Sequence, residues 1–438
     1  MDTTDRLVAL LDHLGLAKAH VATQMPGDVA GLSLRHPERL AGLVLAVPVR
    51  LDPTPFLATA ARILMITGET GISAAATRRA GERLTAAQRH ALAGYEAGGW
   101  ADVAADRTDE LADRMVRFLG RIEASTPLSV PAADRMGSHA GLSYTIDGQG
   151  PALLLLPFFL AASQWDPVVP QLARQFTVIR VGGAHIGGIA TLEDRASAPT
   201  YLAMFDILTG FLGVQPHHRI LDVGCGSGAL DRHLAARLGP TARIDAVDIN
   251  AFMLGEAEAL AKAQGLDSQI RFGKGSALDL PFVDATFDAV YSVTVLEECD
   301  ADQAIAEIMR VTKPGGRIGI AVRAIDIPQW WNLDLPPALR AKVDIPPQSL
   351  GPGGVADRSL YARLQKAGLV DLVAFPQLVT LDRPDGPTWR YREDHILSLL
   401  TADEVTTWKA ACAKAGQAGL LMQANALHCA VATKPSQS

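Results

Sequence analysis

Cysteine is scarce: four in 438 residues, at positions 225, 299, 412 and 429. None forms a C-x-x-C pair, which excludes the usual zinc ribbons and disulfide frameworks. Basic excess is also missing. Forty Lys and Arg face 47 Asp and Glu, a net charge of −7 with a pI near 5.9. That balance sets nucleic acid aside as a main partner. Long apolar runs are lacking too. The longest, Pro151 to Ala162, is too short for a bilayer, which needs about 20 residues, and reads as a buried strand and turn. The start, MDTTDR, has neither a basic n-region nor an apolar h-region; a cytoplasmic location is expected. There is no solenoid repeat and no low-complexity tract. What is present is ample apolar content, 48%, enough for the cores of two or three domains.

The most informative stretch is 220–228, Ile-Leu-Asp-Val-Gly-Cys-Gly-Ser-Gly. A short apolar strand ending at Val223 runs into Gly224, Gly226 and Gly228, and an amphipathic helix follows from about Ala229 to Leu238. Glycines let the backbone approach a ligand closely, and the helix N-terminus offers free N–H groups. The dinucleotide fingerprint places glycine at the first, third and sixth positions, but here the sixth is Ala229. Asp222 lies two residues before the first glycine. A carboxylate there repels a pyrophosphate and suits a ligand with a cationic amino-acid head. The next strand, Arg243 to Val247, ends in Asp248, and an acid at that strand end can take both ribose hydroxyls.

Four blocks together resemble the class I S-adenosylmethionine (SAM)-dependent methyltransferases, in particular the small-molecule group related to ubiquinone and menaquinone C-methyltransferases. They are Leu221–Gly228, Ala246–Asn250, Gly275–Phe287 (GSALDLPFVDATF) and Ser292–Ile320, which carries VLEE at 295–298 and KPGG at 313–316. The resemblance covers roughly 197–325. It implies that Asp222 and the loop Gly224, Cys225, Gly226 and Gly228 hold the methionine moiety. It further implies Asp248 on the ribose, Ile249 on the adenine face and Ser276 with Ala277 at the adenine edge. Ser292 and Val293 would line the methionine side, and Tyr201 would close over the cofactor. Relatives usually carry an acid where this chain has Ser276, so weaker binding is expected there; a serine hydroxyl still accepts a hydrogen bond.

The N-terminal half reads differently. Residues 6–48 alternate helix and strand, with Leu43 to Pro48 a buried strand. Together with RILMITGE (62–69) and DRTDELADRMVRFL (106–119), they resemble the later part of an α/β-hydrolase. Residues 142–183 resemble its beginning, so the order of pieces is inverted. The two halves are expected to complete one circularly permuted sheet; a truncated remnant packed on the methyltransferase is the alternative. The hydrolytic chemistry is absent. A nucleophile elbow needs serine, and Gln24 stands in its place within Ala22-Thr23-Gln24-Met25-Pro26. Thr70 or Gly71 stands where the acid belongs, no histidine occurs in GYEAGGWADVAAD (94–106), and Pro157-Phe158-Phe159 replaces the small-residue oxyanion turn. His90 is expected on a helix, at the surface.

Residues after 321 should bind the methyl acceptor. Arg323, Trp330, Trp331, Tyr361 and Arg390 are substrate candidates; Trp330 and Trp331 precede a Pro/Gly-rich insertion, 332–357. The insertion could form a lid over an apolar substrate, or the tryptophans could simply pack it onto the sheet. The aromatic–basic cluster 389–392 could hold an acidic or phenolic substrate, or be a solvated helix start. Glu298 and His395 rank first as a base, then His428, which also suits core packing.

The expected fold is α/β. A degenerate hydrolase-like domain (1–185) and a linker (186–200) precede a Rossmann-like, doubly wound methyltransferase core (201–325). Residues 326–438 supply the substrate insertion and complete the sheet. The expected activity is SAM-dependent methyl transfer to a small, apolar or aromatic metabolite, with SAM as cofactor and no metal. No membrane span is expected; a homo-oligomer is compatible. The alternative is a SAM- or metabolite-binding regulator without turnover.

Overall fold

The computed structural model describes residues 1–96, 102–122, 135–384 and 386–436. Part of the stretch expected to lack a histidine, 97–101, lies outside the described residues. The chain divides into two compact units, Met1–Thr191 and Leu192–Ser438.

The first unit is built on one eight-stranded sheet. Its strands are β1 (Ala19–Thr23), β2 (Leu40–Ala46), β3 (Ile63–Thr70), β4 (Gln88–Glu96), β5 (Met136–His139), β6 (Leu142–Gly148), β7 (Ala152–Leu155) and β8 (Thr177–Gly182). Spatial order is β4-β3-β2-β1-β7-β8-β6-β5. The early and late sequence halves meet at the parallel β1–β7 pair, where Val21 faces Leu154. One continuous sheet therefore removes the edge that separate halves would expose. β1, β2 and β7 are buried along their whole length, as parallel strands covered on both faces must be. Leu7, Leu10, Val29 and Phe56 pack one face; Leu111, Met115, Phe118 and Trp165 pack the other.

His90 departs from expectation: it lies on β4 and not on a helix, with Nε2 3.1 Å from Glu110 Oε1. The alanines around it favour helix, but parallel pairing with β3 places Leu92 in the core. Tertiary pairing overrides propensity here.

The second unit carries a nine-stranded sheet. Its strands are β9 (Arg219–Val223), β10 (Arg243–Asp248), β11 (Ile270–Lys274), β12 (Phe287–Val293), β13 (Thr312–Arg323), β14 (Trp330–Trp331), β15 (Val370–Ala374), β16 (Gln377–Leu381) and β17 (Gln423–Thr433). The order is β11-β10-β9-β12-β13-β17-β14, with β15 and β16 also paired to β17. β9 to β13 run parallel and β17 is antiparallel to β13. From β9 the chain winds outward through β10 to β11, then returns to β12 on the other side. The switch point lies between β9 and β12, and ligands of such sheets bind at the carboxyl ends of the strands there.

The stretch expected to be a linker is helical, over Gly187–Ser197 and again from Pro199 to Leu212. Its glycines and polar residues suggested a loop. The polar side chains are instead engaged: Glu193 pairs with the buried Arg232 at 2.5 Å, and Asp194 accepts from the Thr388 N–H at 3.1 Å.

Candidate active site

The glycine loop follows β9 directly. Gly224 has φ +86° and Gly228 φ +69°, a left-handed region that side chains disfavour. Space enforces the same choice. A Cβ on Gly224 would sit 2.2 Å from Val295 Cγ2, and one on Gly228 2.8 Å from the Phe272 ring. The helix Ala229–Leu238 opens immediately after. Its buried Arg232 donates to the Ser227 carbonyl at 2.6 Å, clamping the loop from below.

Beneath the loop lies a buried acidic pair. Asp222, on β9, lies beside Asp231, and Asp231 accepts from the Tyr291 hydroxyl at 2.6 Å. Burial pushes Asp231 up to about 6, against the Tyr291 hydrogen bond that lowers it. Asp222 is raised well above the usual carboxylate range by burial and by the neighbouring Asp231. Asp231 and Tyr291 were missed in the sequence reading. The legible signal was an acid in the first turn of an otherwise apolar helix face.

At the end of β10, Asp248 accepts from the Gly226 N–H at 2.9 Å and from the Asn250 N–H at 2.9 Å. The next side chain, Ile249, is 68% exposed, an apolar surface facing solvent beside a carboxylate. Ser276 accepts from the Leu278 N–H at 3.2 Å, closing its own turn, with Ala277 beside it half-buried. Ser292 is buried and donates to the Val223 carbonyl at 2.8 Å, tying β12 to β9; Val293 is buried next to it. Thr294 then has φ +58°, a true outlier for a β-branched residue; such strain clusters at functional sites.

Tyr201 is buried on the helix Pro199–Leu212, with the Arg195 guanidinium 5.1 Å over its ring. Its hydroxyl lies near Thr294 without a hydrogen bond of ordinary length. Arg195 also reaches the Thr294 hydroxyl, at 3.4 Å.

The two adjacent acids of VLEE separate. Glu298, ranked first as a base from sequence, has a side chain 61% exposed and 3.4 Å from Arg323. Glu297 is the buried one. Its Oε1 accepts from the Arg323 backbone N–H at 2.7 Å, while Oε2 is buried with no partner. Burial pushes its carboxyl up to about 7, against the Arg323 hydrogen bond and charge that lower it.

The remaining candidates scatter. Trp331 is core: it packs edge-on against Trp389 and Trp408 and donates to the Val343 carbonyl at 3.2 Å. Trp330 stays 45% exposed. Of the aromatic–basic cluster, Trp389 is thus buried, while Arg390 is half-buried. Tyr361 donates to or accepts from His428 Nδ1 at 2.9 Å, and His428 Nε2 lies 2.7 Å from Asp326. That chain pins the helix Ser359–Lys366 to β17. His395 is half-buried on the helix Pro387–Leu399. Arg323 donates to the Ser349 carbonyl at 2.9 Å and lines a small cavity with Ala324, Ile327, Gln329 and Leu427.

Residues 220–316 match a protein family described as a methyltransferase domain. This part of the chain is similar to methyltransferase domains. Such a domain implies SAM as its cofactor. Among curated proteins, a sterol 24-C-methyltransferase of Gibberella zeae is 34% identical over 110 residues, 25% of this chain and 28% of the relative. A demethylmenaquinone methyltransferase of Lactobacillus johnsonii is 40% identical over 101 residues, 23% of this chain and 41% of the relative. An O-methyltransferase of Aspergillus sclerotiorum is 30% identical over 161 residues, 36% of this chain and 59% of the relative. The chain thus spans between 28% and 59% of the length of these three relatives. Among the described residues no helix is long and apolar enough to cross a membrane.

The residues of the domain fit the cofactor. Exposed Ile249 offers an apolar face for an adenine, the Asp248 carboxylate stands at the strand end that a ribose meets, and the buried Asp222–Asp231 pair provides negative potential under the loop.

Proposed function

We propose that the protein transfers a methyl group from SAM to a small, apolar or aromatic acceptor. The single observation that carries the reading is the junction of the glycine loop with Asp248. The Asp248 carboxylate both accepts from the Gly226 N–H at 2.9 Å and adjoins exposed Ile249. One residue thus sets the loop and presents an acceptor for ribose hydroxyls. Bound SAM supplies an electrophilic methyl carbon on a sulfonium. The chain's part is to hold and orient: Asp248 the ribose, Ile249 the adenine, and the loop above Asp222 the ammonium head. Proximity of this kind converts a bimolecular displacement into an effectively unimolecular one.

Calorimetric titration with SAM tests it. Asp248→Ala should weaken binding by about 1–3 kcal/mol, the cost of losing a hydrogen bond to a charged group. An unchanged dissociation constant sinks the assignment. A regulator that binds SAM without turnover would show the same binding and no methylated product with any acceptor.

For residues 1–191 we infer a circularly permuted hydrolase-like sheet that has lost hydrolysis. The strand order and the β1–β7 junction support this reading. At the elbow position, Gln24 is buried and donates to the Val47 carbonyl at 3.3 Å. It offers no hydroxyl, and its backbone lacks the positive φ of a strained elbow. No ester cleavage above background is expected from the full chain; cleavage abolished by Gln24→Ala would overturn this.

A further inference from the structure

Two buried groups at the mouth of the domain remain unexplained by cofactor binding: the free oxygen of Glu297 and the Tyr201 hydroxyl. A buried carboxylate oxygen without a partner costs stability and persists where it has work to do. Glu297 is fixed, not floppy. Its Oε1 is held by the Arg323 N–H at 2.7 Å, and its own carbonyl accepts from the Gly351 N–H at 2.8 Å. It stands in the turn that follows β12, two residues beyond Val295, whose side chain abuts Gly224 of the cofactor loop. Burial raises the Tyr201 phenol, and the Glu297 charge adds to that rise. The acidic oxygen, the loop and Tyr201 therefore converge at the carboxyl end of the sheet. Arg323, which holds Glu297, lines the small cavity between the ends of β13 and β17.

We propose that Glu297 is the general base of this site, and that the acceptor is an X–H acid: a phenol, an enol or an activated carbon acid. The assignment rests on the methyl-transfer reading above and adds the acceptor class. A neutral tertiary amine or a thioether attacks a methyl carbon without losing a proton, so a buried base serves no purpose for it. A phenol or enol must shed its proton as the new bond forms. The balance is simple. The X–H proton passes to Glu297 Oε2, X bonds to the methyl carbon, and the carbon–sulfur bond breaks with its electron pair on sulfur. The products are X–CH3, S-adenosylhomocysteine and a protonated Glu297, which returns its proton to solvent after product leaves.

The charged and titratable groups facing Glu297 suit the role. Arg323 on β13 favours its carboxylate, with Nε 3.7 Å away, while Glu298 in the same turn opposes it. Cys299 follows in that turn and Tyr201 faces it from the helix Pro199–Leu212; both are raised first by burial and then further by the Glu297 charge. With burial leading, the carboxyl stands at about 7, matched to general-base work near neutral pH.

The test compares the full-length chain with Glu297→Gln and Glu297→Asp. SAM affinity is measured by calorimetry and the buried carboxyl by infrared difference titration. Radiolabelled methyl transfer is followed to two probe sets: phenols with 1,3-dicarbonyls, and tertiary amines with thioethers. The wild type should titrate a carboxyl near pH 7 that Glu297→Gln lacks. SAM should bind all three proteins within about twofold. Transfer to the first set should fall on the order of 10²–10⁴-fold in Glu297→Gln, the usual contribution of a general base, and lose its rise through pH 7. Glu297→Asp should recover part of the rate and the pH dependence. Equal transfer by wild type and Glu297→Gln, methylation confined to the second set, or a carboxyl midpoint below about 5 each overturns the proposal. Should no probe be methylated, the carboxyl midpoint alone decides. Failure of SAM to bind the wild type overturns the methyl-transfer reading itself, a separate outcome.

Discussion

At the scale of single residues, buried ionisable groups dominate the behaviour. Glu297 has its folded pKa raised from 4.5 to about 7. Between those values the folded state binds the extra proton, so the contribution of this group to stability is full below pH 4.5 and is lost as pH rises toward 7. The decline from this group is about 3 kcal/mol, at 1.36 kcal/mol per pH unit. Glu297→Gln should therefore raise the urea midpoint at pH 8 relative to wild type and leave it nearly unchanged at pH 4. A residue retained for packing would show the reverse. His20 on β1 has the opposite sign. Burial lowers its pKa to about 4, and neither ring nitrogen has a partner. The unfolded chain binds the proton first, so stability falls as pH drops from 6.5 toward 4. His20→Leu should flatten that acid limb in a pH series of urea melts; an unchanged limb would show that other groups cause it.

The separation of Glu297 from Glu298 shows what sequence withholds at this scale. Both acids were visible in VLEE, and the second, Glu298, ranked first with His395 as a base. Of the two neighbours, Glu297 turns inward, where the Arg323 N–H of a distant strand holds its carboxylate. No local propensity encodes that. Trp331 is similar. Its type was legible, but its three-tryptophan packing joins residues far apart in sequence. Trp331→Ala should cost about 3–5 kcal/mol, read by denaturant unfolding, whereas Trp330→Ala should cost little.

At the scale of elements, the strands and helices around the glycine loop follow from alternating and fully apolar patterns that sequence displays openly. β9 ends at Val223 and the helix begins at Ala229, as expected. The helix Gly187–Ser197 did not declare itself, because its start is glycine-rich and its polar residues lack an obvious apolar stripe. Its stability comes from tertiary partners. Leu192 approaches Gly226, Glu193 pairs with Arg232, and Arg195 covers Tyr201. Breaking a buried ion pair strands the remaining charge, at a cost of about 3–5 kcal/mol. Glu193→Ala should thus destabilise residues 192–438 by that order and loosen the loop through Arg232. Faster amide hydrogen exchange at 224–228 would report it; unchanged protection there would refute the link.

At the scale of the whole molecule, each unit is a sheet with apolar residues on both faces. SAM should stabilise the second unit by mass action, about 2.7 kcal/mol at a hundredfold excess over its dissociation constant. Protection of amides near 222–228 and 247–250 should rise with it. Thermal melts with and without SAM, paired with hydrogen exchange, check both; protection confined to residues 1–191 would contradict the cofactor site.

The sequence by itself determined the glycine loop between β9 and its helix and the placing of Asp222, Asp248 and Ile249 on and after their strands, because these depend on local chain geometry and short-range pattern. It also excluded a serine nucleophile at position 24, since Gln24 has no hydroxyl wherever it lies. Only the tertiary structure decided that two inverted halves share one sheet, that Asp231 and Tyr291 sit beneath the loop, and that Glu297 is the buried acid. Those facts arise from pairings between distant segments, where burial and hydrogen-bond satisfaction select one arrangement from many that the same local pattern allows.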